Sequence, residues 1–205
     1  TSSSISHNLV KDTTNSFFNP TSGYRVNFSN TLSGIGGDTS FLKSVVNYGY
    51  YIPINYGDYI FSLKSGLGFI TGLDDKVTAS NRFLLGGNTL RGFDSAGFGP
   101  RDTGNNQAVG GNNFYNLSLE IKSDMWLPDE SGLEWLLFTD IGSLWGTDYK
   151  SGVKGFDDME PRVTNGFGLS MTTAVGPLQM IWGFPVVSIN YDIEENFNFK
   201  IGTTF

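Results

Sequence analysis

The stretch Phe197-Asn198-Phe199-Lys200-Ile201-Gly202-Thr203-Thr204-Phe205 constrains the fold more than any other. Phe197, Phe199, Ile201 and Phe205 share one parity; Asn198, Lys200, Gly202 and Thr204 share the other. Side chains alternate across a strand, so this segment has one apolar and one polar face. In water, an exposed apolar strand edge would template aggregation. In an outer membrane the same pattern fits a barrel wall: lipid outside, polar lumen inside, and a last strand that closes the wall.

The alternation recurs along the chain. In 24–33, Tyr24, Val26, Phe28 and Leu32 oppose Arg25, Asn27, Ser29, Thr31 and Ser33. The segments 41–54, 59–71, 113–125, 162–173 and 178–184 repeat it. The run 133–145 is less clean, because Leu136 and Phe138 fall on the Asp140 face, which predicts that something inside the barrel covers them. The opening segment 5–10 offers only Ile5, His7 and Leu9 as a partial face. Together these predict about nine strands of about 10 residues, long enough to cross a bilayer when tilted.

Composition agrees. Of 205 residues, 16% are charged and 15% aromatic, against about 25% charged in ordinary soluble domains. No apolar run reaches the ~20 residues of a membrane-spanning helix. A soluble all-β protein is the alternative that composition leaves open. A net charge of −7 without a basic stripe argues against nucleic acid as a partner. The absence of Cys excludes disulfide and thiolate chemistry. Residues 1–4 have neither the basic start nor the apolar core of a signal peptide. For an exported protein, that places the signal and upstream domains outside this sequence.

Connections alternate between short, as at Asn55-Tyr56-Gly57-Asp58 and Val175-Gly176-Pro177, and long, as at 146–161 and above all about 72–112. Short turns on one side and long loops on the other are typical of outer-membrane barrels. Loops as long as the second are normally functional. Phe83, Leu84, Leu85, Leu90 and Phe93 predict that this one folds inward and packs. Glycines on the polar face have two readings: they let a lumen loop approach the wall, or they relieve crowding in a curved sheet.

Within the long loop, Gly86-Gly87, Leu90-Arg91-Gly92-Phe93 and Gly99-Pro100 resemble the lumen loop of the BamA family of outer-membrane assembly factors (bacterial surface antigen family). The resemblance extends in order along nearly the whole chain. It includes Asn19-Pro20-Thr21-Ser22-Gly23-Tyr24-Arg25-Val26, Leu119-Glu120, Thr139-Asp140-Ile141-Gly142-Ser143-Leu144-Trp145, Gly176-Pro177-Leu178 and the closing 197–205. Leu90 stands where Val is commoner in the family. The resemblance implies an all-β fold: an antiparallel transmembrane β-barrel of sixteen strands preceded by periplasmic POTRA domains. Residues 1–205 would supply the C-terminal nine or so strands. It also implies a loop tip docked on acidic residues of nearby strands.

Residue chemistry supports such a lock at Arg91, Gly92, Phe93, Glu120 and Asp140. Arg91 carries a planar fork of five donors suited to carboxylates. Parity puts Glu120 and Asp140 on the lumen face of consecutive strands. Gly92 permits a tight turn or close approach, and Phe93 can insert between lumen groups. A solvated arginine on a free loop is the plainer alternative. The second candidate site is the gate strand and terminal signal: Phe197, Phe199, Ile201, Gly202 and Phe205, with Gly202 as the weak point where a strand can kink.

No nucleophile elbow, phosphate loop or metal motif is present. His7 has no partner for catalysis. Asp74-Asp75 and Asp157-Asp158-Met159-Glu160 lack calcium-loop spacing and read as solvated charges. Trp126, Trp135, Trp145 and Trp182 read as interfacial anchors. No catalytic residue, metal or cofactor is therefore expected.

The resemblance implies a protein of the bacterial outer membrane, contacting its lipids. It would insert unfolded β-barrel clients through a lateral gate between first and last strands, together with accessory lipoproteins. Two alternatives remain: a two-partner secretion or TamA-like translocator of the same wider family, and a passive diffusion porin.

Overall fold

The computed structural model describes residues 3–34, 39–74, 76–128, 132–157, 159–173 and 176–201. Among these residues, nine strands form one antiparallel sheet. They are β1 (Ser4–Asp12), β2 (Gly23–Ser33), β3 (Phe41–Ile54), β4 (Tyr59–Gly72), β7 (Asn113–Ser123), β8 (Leu133–Trp145), β10 (Arg162–Thr173), β11 (Gly176–Val187) and β13 (Phe197–Ile201). Each pairs with its predecessor and successor among these nine, so the order follows the sequence and β1 and β13 are the two edges. Among the described residues the wall is a curtain of hairpins whose first and last strands do not pair with each other. Four two-residue strands lie in the connections and pair outside this sheet: β5 (Gly92–Phe93) with β12 (Glu194–Glu195), and β6 (Arg101–Asp102) with β9 (Val153–Lys154).

Strand limits follow the alternation closely. β11 begins earlier than the turn expected at 175–177: Gly176 and Pro177 already pair with Thr173 and Thr172. Register fixes the faces. Ser62, Glu120 and Phe138 stand side by side on β4, β7 and β8. Lys64, Ser118, Asp140 and Thr164 form the next row, reaching β10. The opposite face carries Leu67, Phe69, Leu137, Phe167, Phe184, Phe197 and Phe199, all exposed. Phe167, Trp182 and Phe197 stand in register across β10, β11 and β13, with ring centroids 5.4 and 5.1 Å apart. So broad an apolar face is the expected surface of a wall solvated by lipid.

The main dry core lies on the inner face. Phe83, Leu85, Leu90, Phe93 and Phe98 of the long connection pack on Phe41, Ile70, Phe114 and Leu144 of β3, β4, β7 and β8. The loop therefore folds onto the wall, with one exception to the sequence expectation: Leu84 is 54% exposed. Phe83 is bridged to Gly111 and Leu85 to Phe98, so strand-like alternation turns Leu84 away. A second apolar cluster joins Leu136, Phe138 and Ile181. The Leu136 expectation thus has a local answer: Gly168 of β10 leaves room for Leu136 and Ile181 to lie over it from either side.

Candidate functional site: a buried arginine at the loop tip

Leu90 is fully buried and anchors the tip, and Arg91 follows it onto the wall. The guanidinium makes a two-point contact with Asp140: Nε donates to Oδ2 at 2.7 Å and Nη2 to Oδ1 at 2.7 Å. Nη1 donates to Glu120 Oε2 at 2.5 Å, and Nη2 also donates to Ser118 Oγ at 2.9 Å. The Arg91 backbone N–H donates to Asp140 Oδ2 at 3.1 Å. The guanidinium carbon stands 3.5 Å from the centre of the Phe138 ring, a cation–π contact. Phe138 is therefore covered from inside by the arginine itself.

The cluster is largely dry. The Asp140 side chain is 2% exposed and that of Glu120 11%. Burial on its own would make Arg91 easier to deprotonate. Its hydrogen bonds to Asp140 and the charges of Glu120 and Asp140 outweigh this and hold its pKa above the ordinary arginine value. Arg91 is thus a permanent cation seated on two wall carboxylates. Lys64 on β4 and Lys200 on β13 lie within electrostatic reach of the same cluster.

Gly92 has φ +92°, a conformation open to glycine. A Cβ there would lie 2.7 Å from Thr164 Cγ2 and 3.2 Å from Pro185 Cδ. From the wall side, a Cβ on Gly183 would lie 2.7 Å from the Gly92 nitrogen. Two glycines, one on the loop and one on the strand, thus bring backbone against backbone. On β10, Gly166 and Gly168 instead make room for Phe138, Leu136 and Ile181. Both readings of the inner-face glycines hold, at different positions. Phe93 is buried against Phe98, with ring centroids 5.4 Å apart.

The second candidate site is described in part. Phe197 and Phe199 lie on the outer face of β13 and pair with Trp182 and Met180. The Ile201 backbone pairs with Leu178. Gly202 and Phe205 lie outside the described residues. The opposite edge of β13 has no partner among the described residues.

Several participants escaped the sequence reading. Ser118 shares the Glu120 face two positions away, so parity alone could have nominated it. Arg162 of β10 makes a bidentate pair with Asp192, Nε to Oδ2 at 3.0 Å and Nη2 to Oδ1 at 3.1 Å. Their side chains are 1% and 0% exposed. Arg101 is buried and donates to the carbonyls of Asn106 and Ala96. Arg82 donates to those of Val77 and Val109. Burial lowers the pKa of both Arg82 and Arg101. The remaining candidates are peripheral. His7 is exposed on β1, edge-on to Phe28. Asp157 is an exposed partner of Lys150 at 3.7 Å, and Asp75 and Asp158 lie outside the described residues.

Residues 1–205 match the Omp85 superfamily domain from end to end. The chain belongs to the Omp85 superfamily. Outer membrane protein assembly factor BamA of Neorickettsia risticii is 35% identical over 87% of the chain, and that of Nitratidesulfovibrio vulgaris 29% identical over 90%. The sorting and assembly machinery component 50 homolog of Bos taurus is 31% identical over 74%. The crystal structure of Haemophilus ducreyi BamA lacking POTRA domains 1–3 superposes with a TM-score of 0.87 at 24% identity, covering 96% of this chain and 41% of that one. The Omp85 chain therefore has the barrel-wall fold. It spans 24% and 23% of the two bacterial relatives' lengths.

The geometry ranks the two carboxylates in this Omp85 wall. Asp140 accepts three hydrogen bonds from Arg91, one of them from its backbone, and Glu120 accepts one. Charged hydrogen bonds contribute about 1.5–3 kcal/mol each. In the full-length protein, Asp140→Ala is expected to raise the rate of proteolysis within 86–101 well beyond the effect of Glu120→Ala. Equal sensitivity of the two variants would refute the ranking.

Proposed function

We propose that this chain is the C-terminal part of an outer-membrane barrel that assembles and inserts other β-barrel proteins, without nucleotide, cofactor or enzymatic chemistry. The observation that carries the reading is the loop tip seated on the wall by Arg91, Asp140 and Glu120, within a chain of this superfamily. A seated apolar loop suits a barrel whose working surface is its strand edge rather than its pore.

The mechanism rests on backbone hydrogen bonding. An N–H or C=O facing hydrocarbon without a partner costs several kcal/mol. A strand edge exposed at a lateral opening would therefore favour pairing with an incoming client strand, a β-augmentation inside the membrane. On this reading β13, which has one unpaired edge among the described residues, is the strand that would receive the client. The partners proposed on this reading are outer-membrane lipids, unfolded β-barrel clients and accessory lipoproteins; the location is the bacterial outer membrane.

The full-length parent protein, reconstituted into lipid vesicles, provides the test. Addition of an unfolded eight-stranded barrel is expected to give folded, membrane-embedded client faster than protein-free vesicles do. Client released into the vesicle lumen would point to a translocator. Steady single-channel conductance with no acceleration of folding would point to a diffusion pore. Either result overturns the proposal.

A further inference from the structure

We propose that the loop tip and the entry to the closing strand move as one unit, with Asp192 and Glu195 as the positioning residues that tie them. The use of this tie in client insertion rests on the assembly reading; the tie itself does not.

The argument starts one residue beyond Arg91. Gly92 and Phe93 form a two-residue antiparallel ladder with Glu195 and Glu194. The ladder is extended by Asp94 N–H donating to Ile193 O at 3.0 Å and Ile193 N–H donating to Gly97 O at 2.8 Å. Residues 193–195 are therefore bonded along their backbone to the loop tip. Only Asn196 separates them from β13. Asn196 O accepts from Gly183 N–H at 3.0 Å, and Asn198 Nδ2 donates to Glu195 Oε2 at 3.4 Å.

The other end of the same connection is held independently. Asp192 takes the bidentate contact of Arg162 and also accepts from Ile189 N–H at 2.8 Å, closing the turn. Asn106 Nδ2 adds a bond to Tyr191 O at 3.2 Å. The connection is thus gripped by β10 on one side and by the long loop on the other, and it runs straight into β13. Lifting Arg91 off Asp140 must either break the ladder or carry residues 193–195 along. Coupling of this kind is reciprocal: loosening the connection must also loosen the tip.

Hydrogen exchange on the full-length protein in lipid nanodiscs tests this without any insertion assay. In Arg91→Ala, exchange is expected to speed up roughly tenfold or more at 193–199 as well as at 86–101, given the charged bonds lost. In Asp192→Asn, which keeps the size of the side chain, exchange at 92–94 is expected to rise although Arg91 is intact. Strands β2 to β4 should be unchanged in both. Changes confined to 86–101 in the first variant, or to 188–196 in the second, would overturn the proposal. Should either variant fail to fold, the wild type decides. Amides of 92–94 and 193–195 must then open with one free energy and one denaturant dependence, and distinct values would refute a single unit. A coupled exchange pattern in a protein that fails the vesicle assay would leave the tie standing and remove only the assembly reading.

Discussion

Arg91→Ala is expected to release the long loop and, on the proposed assembly reading, to abolish most client insertion by the full-length protein. The change removes a side chain that makes four donated bonds and covers the Phe138 ring. It also leaves Asp140 and Glu120 on an inner face that was built to neutralise them. Removing one partner of a buried ion pair costs about 3–5 kcal/mol, because the remaining charge stays desolvated. A loss of that size shifts the balance between seated and released tip strongly toward the released form. Arg91→Lys is expected to rescue little, since an ammonium cannot reproduce the two-point contact with Asp140 while also reaching Glu120. Limited proteolysis of the full-length protein within 86–101, followed by the vesicle insertion assay, checks both parts. Unchanged protection and unchanged insertion would show that the arginine is dispensable to both.

Gly183→Val is expected to produce a similar loss through packing alone, with every charge in place. Its Cβ would meet the Gly92 nitrogen at 2.7 Å and the Gly92 Cα at 2.9 Å. Both are backbone atoms and cannot rotate aside. Gly92 is itself pressed against Thr164 and Pro185, which closes the direction of retreat. Overpacking of this kind costs about 1–3 kcal/mol, and the cheapest relief is for the tip to rise off the wall. The strand pairing of β10 and β11 should survive, so the protein should still fold and migrate as a barrel. Gly49→Ala is the control: its nearest neighbour is the Tyr51 hydroxyl at 3.3 Å, the end of a side chain that can move. A tip equally protected in Gly183→Val and the wild type would show that the close approach is not needed.

The strands were legible because alternation is enforced on every one of them by two different solvents. Tyr24–Leu32 and Phe167–Met171 announce their lipid face by parity alone, and the paired strands match within a few residues. The Arg91 partners were legible for a related reason. Glu120 and Asp140 sit at inward positions of consecutive strands, and register brings such positions within a row of each other. What stayed hidden depends on residues far apart in sequence whose local pattern carries no signal. Glu194–Glu195 looks like a solvated acidic pair, yet it is a backbone partner of Gly92–Phe93. Arg162 and Asp192 give no motif at all, and only the fold makes them a buried pair. Phe114 and Leu144 share the parity of the polar inner residues of their strands. They are apolar because the loop, not water, lies over that end of the wall.

The spacing of the lock in sequence also dictates an order of events in the protein's own folding. Arg91 reaches Glu120 across 29 residues and Asp140 across 49, and its neighbour Gly92 reaches Glu195 much further along. Loop closure becomes entropically dearer with distance, and non-local pairings form late. The tip cannot settle before the β7–β8 hairpin exists to receive it. The ladder with residues 194–195 can form only when the final connection arrives. Among the described residues, the entry to β13 is therefore the last part to become rigid, so a newly made copy passes through a stage in which the earlier hairpins are paired and the loop tip is not yet set.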